Sequence, residues 1–168
     1  TYSRMVTSKP ITLTQFTLAF WFKMSVPAGN PSLFGATLLT TAGNTLNGGV
    51  DELKVQNSNG ALRIQVGDNL FNFIQTPGRI DDGQWHQAVV TRIPTANTQA
   101  THMWLYLDGN PTPVSTKLAF AGADVTIANK ILRIGGVGGQ GFTGGLDGVQ
   151  IYPVALDANR VKALYDRT

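Results

Sequence analysis

The stretch that decides the fold is Ile131-Leu-Arg-Ile-Gly-Gly136 through Phe142-Thr-Gly-Gly-Leu-Asp-Gly-Val-Gln-Ile-Tyr152, followed by Pro153–Tyr165. Ile131–Ile134 reads as a strand, Gly135–Gly145 as a glycine-rich loop and Leu146–Tyr152 as a second strand. A short helix over Asp157–Tyr165 follows. Asp157 can cap it by accepting first-turn N–H groups, and Leu156 and Val161 have the spacing of a hydrophobic staple. Val161, Leu164 and Tyr165 give that helix one apolar face. No earlier segment holds a 3.6-residue period, so everything before residue 155 is expected to be strand and turn.

Working outward, Phe16-Thr-Leu-Ala-Phe-Trp-Phe-Lys23 alternates strictly. Phe16, Leu18, Phe20 and Phe22 share one face, and Thr17, Ala19, Trp21 and Lys23 the other. Val50–Gln56 and Ala61–Val66 read as two strands linked through Asn59-Gly60, a hairpin signal because both residues tolerate positive φ. Leu70–Gln75, Trp85–Arg92 and Thr101–Leu107 are further strands, and Asp108-Gly109 turns the chain. Many short strands punctuated by Gly, Asn and Pro predict an all-β fold, a two-sheet antiparallel β-sandwich of jelly-roll type with one short C-terminal helix. At 168 residues the chain is expected to be a single domain, 1–168, and a module of a larger protein.

Composition narrows the function. The net charge is only +3, and the basic residues are scattered from Arg4 to Arg167 without a cluster. Neutralising phosphates requires local positive density, so nucleic acid is not an expected partner. No apolar run is long enough for a membrane span. The absence of cysteine removes disulfides, thiolate metal sites and a cysteine nucleophile. Asn30-Pro-Ser and Asn110-Pro-Thr carry proline at the middle position and are not glycosylation acceptors.

In order along the chain, Phe16–Lys23, Asp82-Gly-Gln-Trp-His-Gln-Ala-Val-Val90, Leu105-Tyr-Leu-Asp-Gly109, Leu132-Arg-Ile-Gly-Gly136, Phe142–Tyr152, and Ala155-Leu156 with Val161–Tyr165 resemble the laminin-G-like jelly rolls of the concanavalin A-like lectin/glucanase superfamily. The resemblance spans residues 16 to 165. It implies the fold but not one function, because that fold hosts lectins, adhesion modules, carbohydrate-binding modules and glucanases.

Catalysis is not expected. Glycosidases need two carboxyl groups across the scissile bond, and this chain has one glutamate, Glu52. Its neighbour Asp51 points to the other face of a strand, and Asp81-Asp82 reads as turn geometry. Neither His86 nor His102 accompanies a nucleophile elbow. Gly136-Val-Gly-Gly-Gln-Gly141 matches G-x-G-x-x-G, but no helix follows to receive a pyrophosphate.

The expected ligand site is the aromatic strip His102, Trp104 and Tyr106, opposite the core face Met103, Leu105 and Leu107. Sugar rings stack on aromatic faces while polar neighbours bond their hydroxyls. Arg63 with Gln65, or His86 with Arg92, share strand faces that can supply those donors. The other reading of Trp104 and Tyr106 is packing against the terminal helix or beneath a loop. Trp21 and Trp85 read as structural. The resemblance implies a structural calcium, with Asp147 as a ligand; Asp147 also reads as a turn anchor. Asp51, Asp68 and Asn47 are further loop candidates.

The resemblance therefore implies a non-catalytic recognition module, lectin-like and glycan-binding, on an extracellular or surface-exposed protein. The second expectation is an adhesive or structural protrusion of a bacterial surface protein, phage fibre or virus capsid. Such a module meets a cell-surface receptor or a neighbouring subunit, with self-assembly through the parent protein.

Overall fold

The computed structural model describes residues 5–25, 37–41, 53–67, 73–94, 101–117, 127–135 and 144–167. Thirteen strands and one helix are present among them: β1 Met5–Val6, β2 Ile11–Leu13, β3 Phe16–Ser25, β4 Thr37–Thr40, β5 Leu53–Ser58, β6 Ala61–Val66, β7 Phe73–Gln75, β8 Asp82–Pro94, β9 Thr101–Leu107, β10 Ser115–Lys117, β11 Ile127–Lys130, β12 Arg133–Ile134, β13 Gly144–Tyr152 and α1 Ala158–Tyr165.

Two antiparallel sheets form the sandwich. One has the order β1-β12-β4-β5-β6-β7 and the other β10-β9-β8-β3-β13, while β11 and β2 make a small ribbon. The interior strand β3 pairs with β8 on one side and β13 on the other. Its alternation is observed as the sequence predicts. Phe16, Leu18, Phe20, Phe22 and Met24 enter the main core with Leu38, Leu53, Val55, Leu62, Ile64, Val90, Met103 and Leu105. A fully buried side chain of this size contributes about 1.5–3 kcal/mol, so this inter-sheet layer dominates stability.

A second, smaller layer lies on the outer face of the five-stranded sheet. Ala19, Val89, Tyr106 and Val161 form its buried centre, with Trp104, Leu156, Ala158 and Leu164 packed around it. Asp157 caps α1 by accepting the Arg160 N–H at 2.9 Å. The Thr17 hydroxyl donates to the Val154 carbonyl at 2.8 Å and accepts the Leu156 N–H at 2.8 Å. One side chain of β3 thus ties down the segment that leads into the helix.

Turn chemistry follows the sequence. Asn59 (φ 54) and Gly60 (φ 89) close the β5–β6 hairpin, and Asp108 (φ 51) with Gly109 (φ 68) makes the turn after β9. The region after Ile127 differs from expectation. Strand structure occupies Ile127–Lys130 and Arg133–Ile134, while Ile131 lies between them. Gly144 and Gly145 are strand residues, paired with Met24 and Lys23, rather than the end of a loop. Residues 136–143 of the glycine loop lie outside the described residues, as do residues 50–52 and 70–72 at the starts of two expected strands. Among the described residues no helix is long and apolar enough to cross a membrane.

Candidate functional site

On the outer face of the five-stranded sheet, beside the end of α1, four segments converge. The register sets Trp21 opposite both Gln87 and Asp147, and Lys23 opposite both Trp85 and Gly145. The residues that alternate away from the core on β3, β8 and β13 are therefore neighbours on this face. Trp21, Trp85, Asp147, Gly148 and Tyr165 line a cleft of about 550 Å³ there, within the range of small-molecule sites.

Each wall has a local cause. Tyr165, the last residue of α1, stacks on Trp21 with ring centroids 5.5 Å apart and planes 28° apart. It is seated over Gly109, where a Cβ would lie 2.6 Å from the tyrosine ring. Trp85 is 47% exposed, unusual for so large an apolar ring. Its indole lies across Gly145, where a Cβ would come 2.6 Å from the ring. A register shift between Asp147 and Gln150 breaks the ladder. There Asp147 Oδ1 accepts the Gly148 N–H at 2.7 Å. This is the turn-anchor role, held by an exposed residue that also lines the cleft.

The residues named from sequence are distributed differently. Tyr106 is only 7% exposed and sits beneath α1 with Val161, so the helix-packing reading of the strip holds for it. Trp104 packs against the same layer and meets His102 edge-on at 5.7 Å. Arg63 and Gln65 lie on the other sheet, both buried. The Arg63 guanidinium stands 3.6 Å over the Phe73 ring, and Lys117 approaches the same ring at 5.3 Å. Gln65 donates to the Gly67 carbonyl at 3.4 Å.

Arg92 is a correction. Its side chain is fully buried, donating from Nη1 to the Thr14 carbonyl at 2.7 Å near the Phe16 ring. Its strand face points between the sheets, because Arg92 follows Ala88 and Val90 on the core side of β8. The six expected ligand residues therefore do not form one surface. Trp21 and Trp85, read as structural, are the ones brought together. The signal was present in Thr17-Ala19-Trp21-Lys23, a tryptophan on the face opposite the core.

His86 also has a defined place. Nδ1 lies 2.8 Å from Asp108 Oδ2, and Nε2 lies 3.2 Å from both carboxylate oxygens of Asp82. Burial opposes its charge, but the hydrogen bonds and negative charges of Asp108 and Asp82 outweigh it and raise its pKa. Asp108 Oδ1 meanwhile accepts the Gln87 N–H at 2.9 Å.

Among the described residues, Asp147 does not gather the donors that calcium takes. The ion takes six to eight oxygens. Asp147 is the one carboxylate lining the cleft among the described residues, and they contain no cluster of three His, Cys, Asp or Glu side chains. Asn47, Asp51, Glu52 and Asp68 lie outside the described residues.

No curated protein matches the chain. Among solved structures, the heptameric SAP-like pentraxin from Limulus polyphemus is similar, with a TM-score of 0.67 and 19% identity over 96% of this chain and 75% of that one. The CBM40 of the Ruminococcus gnavus IT-sialidase aligns with a TM-score of 0.60 and 13% identity, covering 96% of both chains. The binding domain of botulinum neurotoxin DC, in complex with SialylT, aligns with a TM-score of 0.66 and 15% identity over 91% of this chain and 35% of its own. At these identities the likeness is one of fold. The family model described as the concanavalin A-like lectin/glucanases superfamily, of laminin G type, matches residues 2–162, and the chain belongs to that family.

Proposed function

We propose that this domain is a non-catalytic recognition module that binds glycans in the Trp21–Trp85–Tyr165 cleft. The convergence of three aromatic rings and one exposed carboxylate at a cleft of sugar size carries the reading. Pyranose faces rich in C–H bonds pack on aromatic rings, while Asp147 accepts hydrogen bonds from hydroxyls. Neighbours of the same fold include the CBM40 of a sialidase and a toxin binding domain in complex with SialylT, which supports a glycan partner for this architecture. A glycan-directed module belongs on a secreted or surface-exposed protein.

The test is a glycan array with the wild-type chain and the Trp21→Ala and Trp85→Ala variants. A signal that falls in both variants, with melting showing them folded, supports the reading. A signal that survives both substitutions moves the site elsewhere. Silence on the array with capture of a defined protein receptor would instead favour the adhesive-protrusion reading; a toxin binding domain of this fold is known in complex with rat synaptotagmin II.

A further inference from the structure

We infer that the cleft selects a positively charged amino sugar, one whose ring carries a free ammonium group, over N-acetylated, neutral and sialylated sugars. The inference deepens the glycan reading of the same cleft and rests on it.

Three features of the cleft favour positive charge. First, its walls are two indoles and a phenol. Aromatic faces carry negative electrostatic potential, and tryptophan attracts cations most strongly of the aromatic side chains. Second, Asp147 is the one carboxylate side chain lining the cleft among the described residues. Its Oδ1 is occupied by the Gly148 N–H, and among the described residues its second oxygen has no hydrogen-bond partner. An ammonium donor there forms a charge-assisted hydrogen bond, about twice as strong as a neutral one. Third, Tyr165 ends α1, so the cleft adjoins the negative end of the helix dipole. Asp166 follows it and is engaged by Lys162 Nζ at 2.6 Å.

Among the described residues of β3, β8 and β13, the cation on the same sheet face is Lys23, in register with Trp85 and Gly145 and absent from the cleft lining. A sialic acid would place its carboxylate against Asp147 and the indole faces, an unfavourable pairing of like potentials. N-acetylation removes the ammonium charge and leaves stacking alone. Stacking selects the ring, and Asp147 contributes most to selecting its charge.

The experiment is calorimetric titration of the whole chain with four soluble oligosaccharides: a glucosamine tetramer, its N-acetylated form, a neutral glucose tetramer and sialyllactose. The expected order places the glucosamine tetramer about tenfold or more ahead of the N-acetylated one, with sialyllactose weakest. Raising the salt narrows that lead, because the discriminating contact is electrostatic. Asp147→Asn, which keeps size and hydrogen bonding while removing charge, should cut the ratio severalfold with an unchanged melting temperature, the remainder coming from the aromatic faces.

Equal or tighter binding of the acetylated, neutral or sialylated sugar overturns the charge selectivity. So does a preference undiminished in Asp147→Asn. In those cases binding that still depends on Trp85 leaves the glycan reading standing. Failure of all four sugars, together with silence on the array, removes the glycan reading itself.

Discussion

The ring of Tyr165, at the end of the only helix among the described residues, stacks on the indole of Trp21, on an interior strand of the five-stranded sheet, with 5.5 Å between centroids. The pair joins two jobs. It holds the last turn of α1 on the sheet and builds one wall of the cleft. Tyr165→Ala is expected to cost about 1 kcal/mol of stability, the scale of an aromatic pair. In a domain of this size that lowers Tm by about 2–4 °C. The same variant is expected to lose most of the glycan signal, so melting and titration together separate its two roles. Unaltered affinity with a lowered Tm would leave Tyr165 a packing residue alone.

Gly145 sets the position of the other wall. A Cβ at this strand residue would come 2.6 Å from the far edge of the Trp85 indole. That edge belongs to a half-exposed side chain, which can swing away. Gly145→Ala is therefore expected to keep the fold, with Tm within a few degrees of wild type, while the Trp85 indole resonance shifts and ligand affinity drops. Affinity equal to wild type would show that the indole position over Gly145 does not matter to the site.

Arg92 separates a core role from a binding role. Its guanidinium is enclosed between the sheets, bonded to the Thr14 carbonyl. Arg92→Ala leaves a cavity and strips that carbonyl of a charged donor, so a loss of about 3 kcal/mol is expected in denaturant unfolding. A variant with wild-type stability but no ligand binding would restore the surface role expected from sequence.

His86 links stability to pH. Its pKa is raised in the folded chain by Asp108 and Asp82, against the cost of burial. A raised folded pKa means that its contribution is complete below the unfolded value, about 6.5, and is lost as pH rises through the folded value. Asp82 has a lowered pKa, through the Gln84 N–H first and then, against slight desolvation, His86. Its contribution is present above the unfolded carboxylate value and fades as pH falls through the folded one. Stability is thus expected to decline from mildly acidic toward alkaline pH relative to His86→Gln. Denaturant melts of both proteins from pH 5.5 to 8.5 measure the difference, and parallel curves would show that His86 is not coupled to its two carboxylates.

The alternation of Phe16–Lys23 and of Thr101–Leu107 was legible because a strand's two faces are a local property: adjacent side chains must point in opposite directions. The same holds for the Asn59-Gly60 hairpin and for the Asp157 cap, each decided within a few residues. Family membership was legible too, since its pieces recur in order along nearly the whole chain.

The site was not. Periodicity places Tyr106 and Trp21 alike on outward faces, and nothing within either strand says which one the helix will cover. Strand pairing and the landing point of α1 decided it, burying Tyr106 under Val161 and leaving Trp21 open beside Tyr165. Arg92 went inward for a related reason: it extends the core face of β8 to a depth that no local pattern reports. Sequence alone determined which residues share a face. Contacts between segments far apart in the chain, from residue 21 to residue 165, decided which of those faces meets solvent, because burial depends on the neighbours that folding brings in and not on the strand itself.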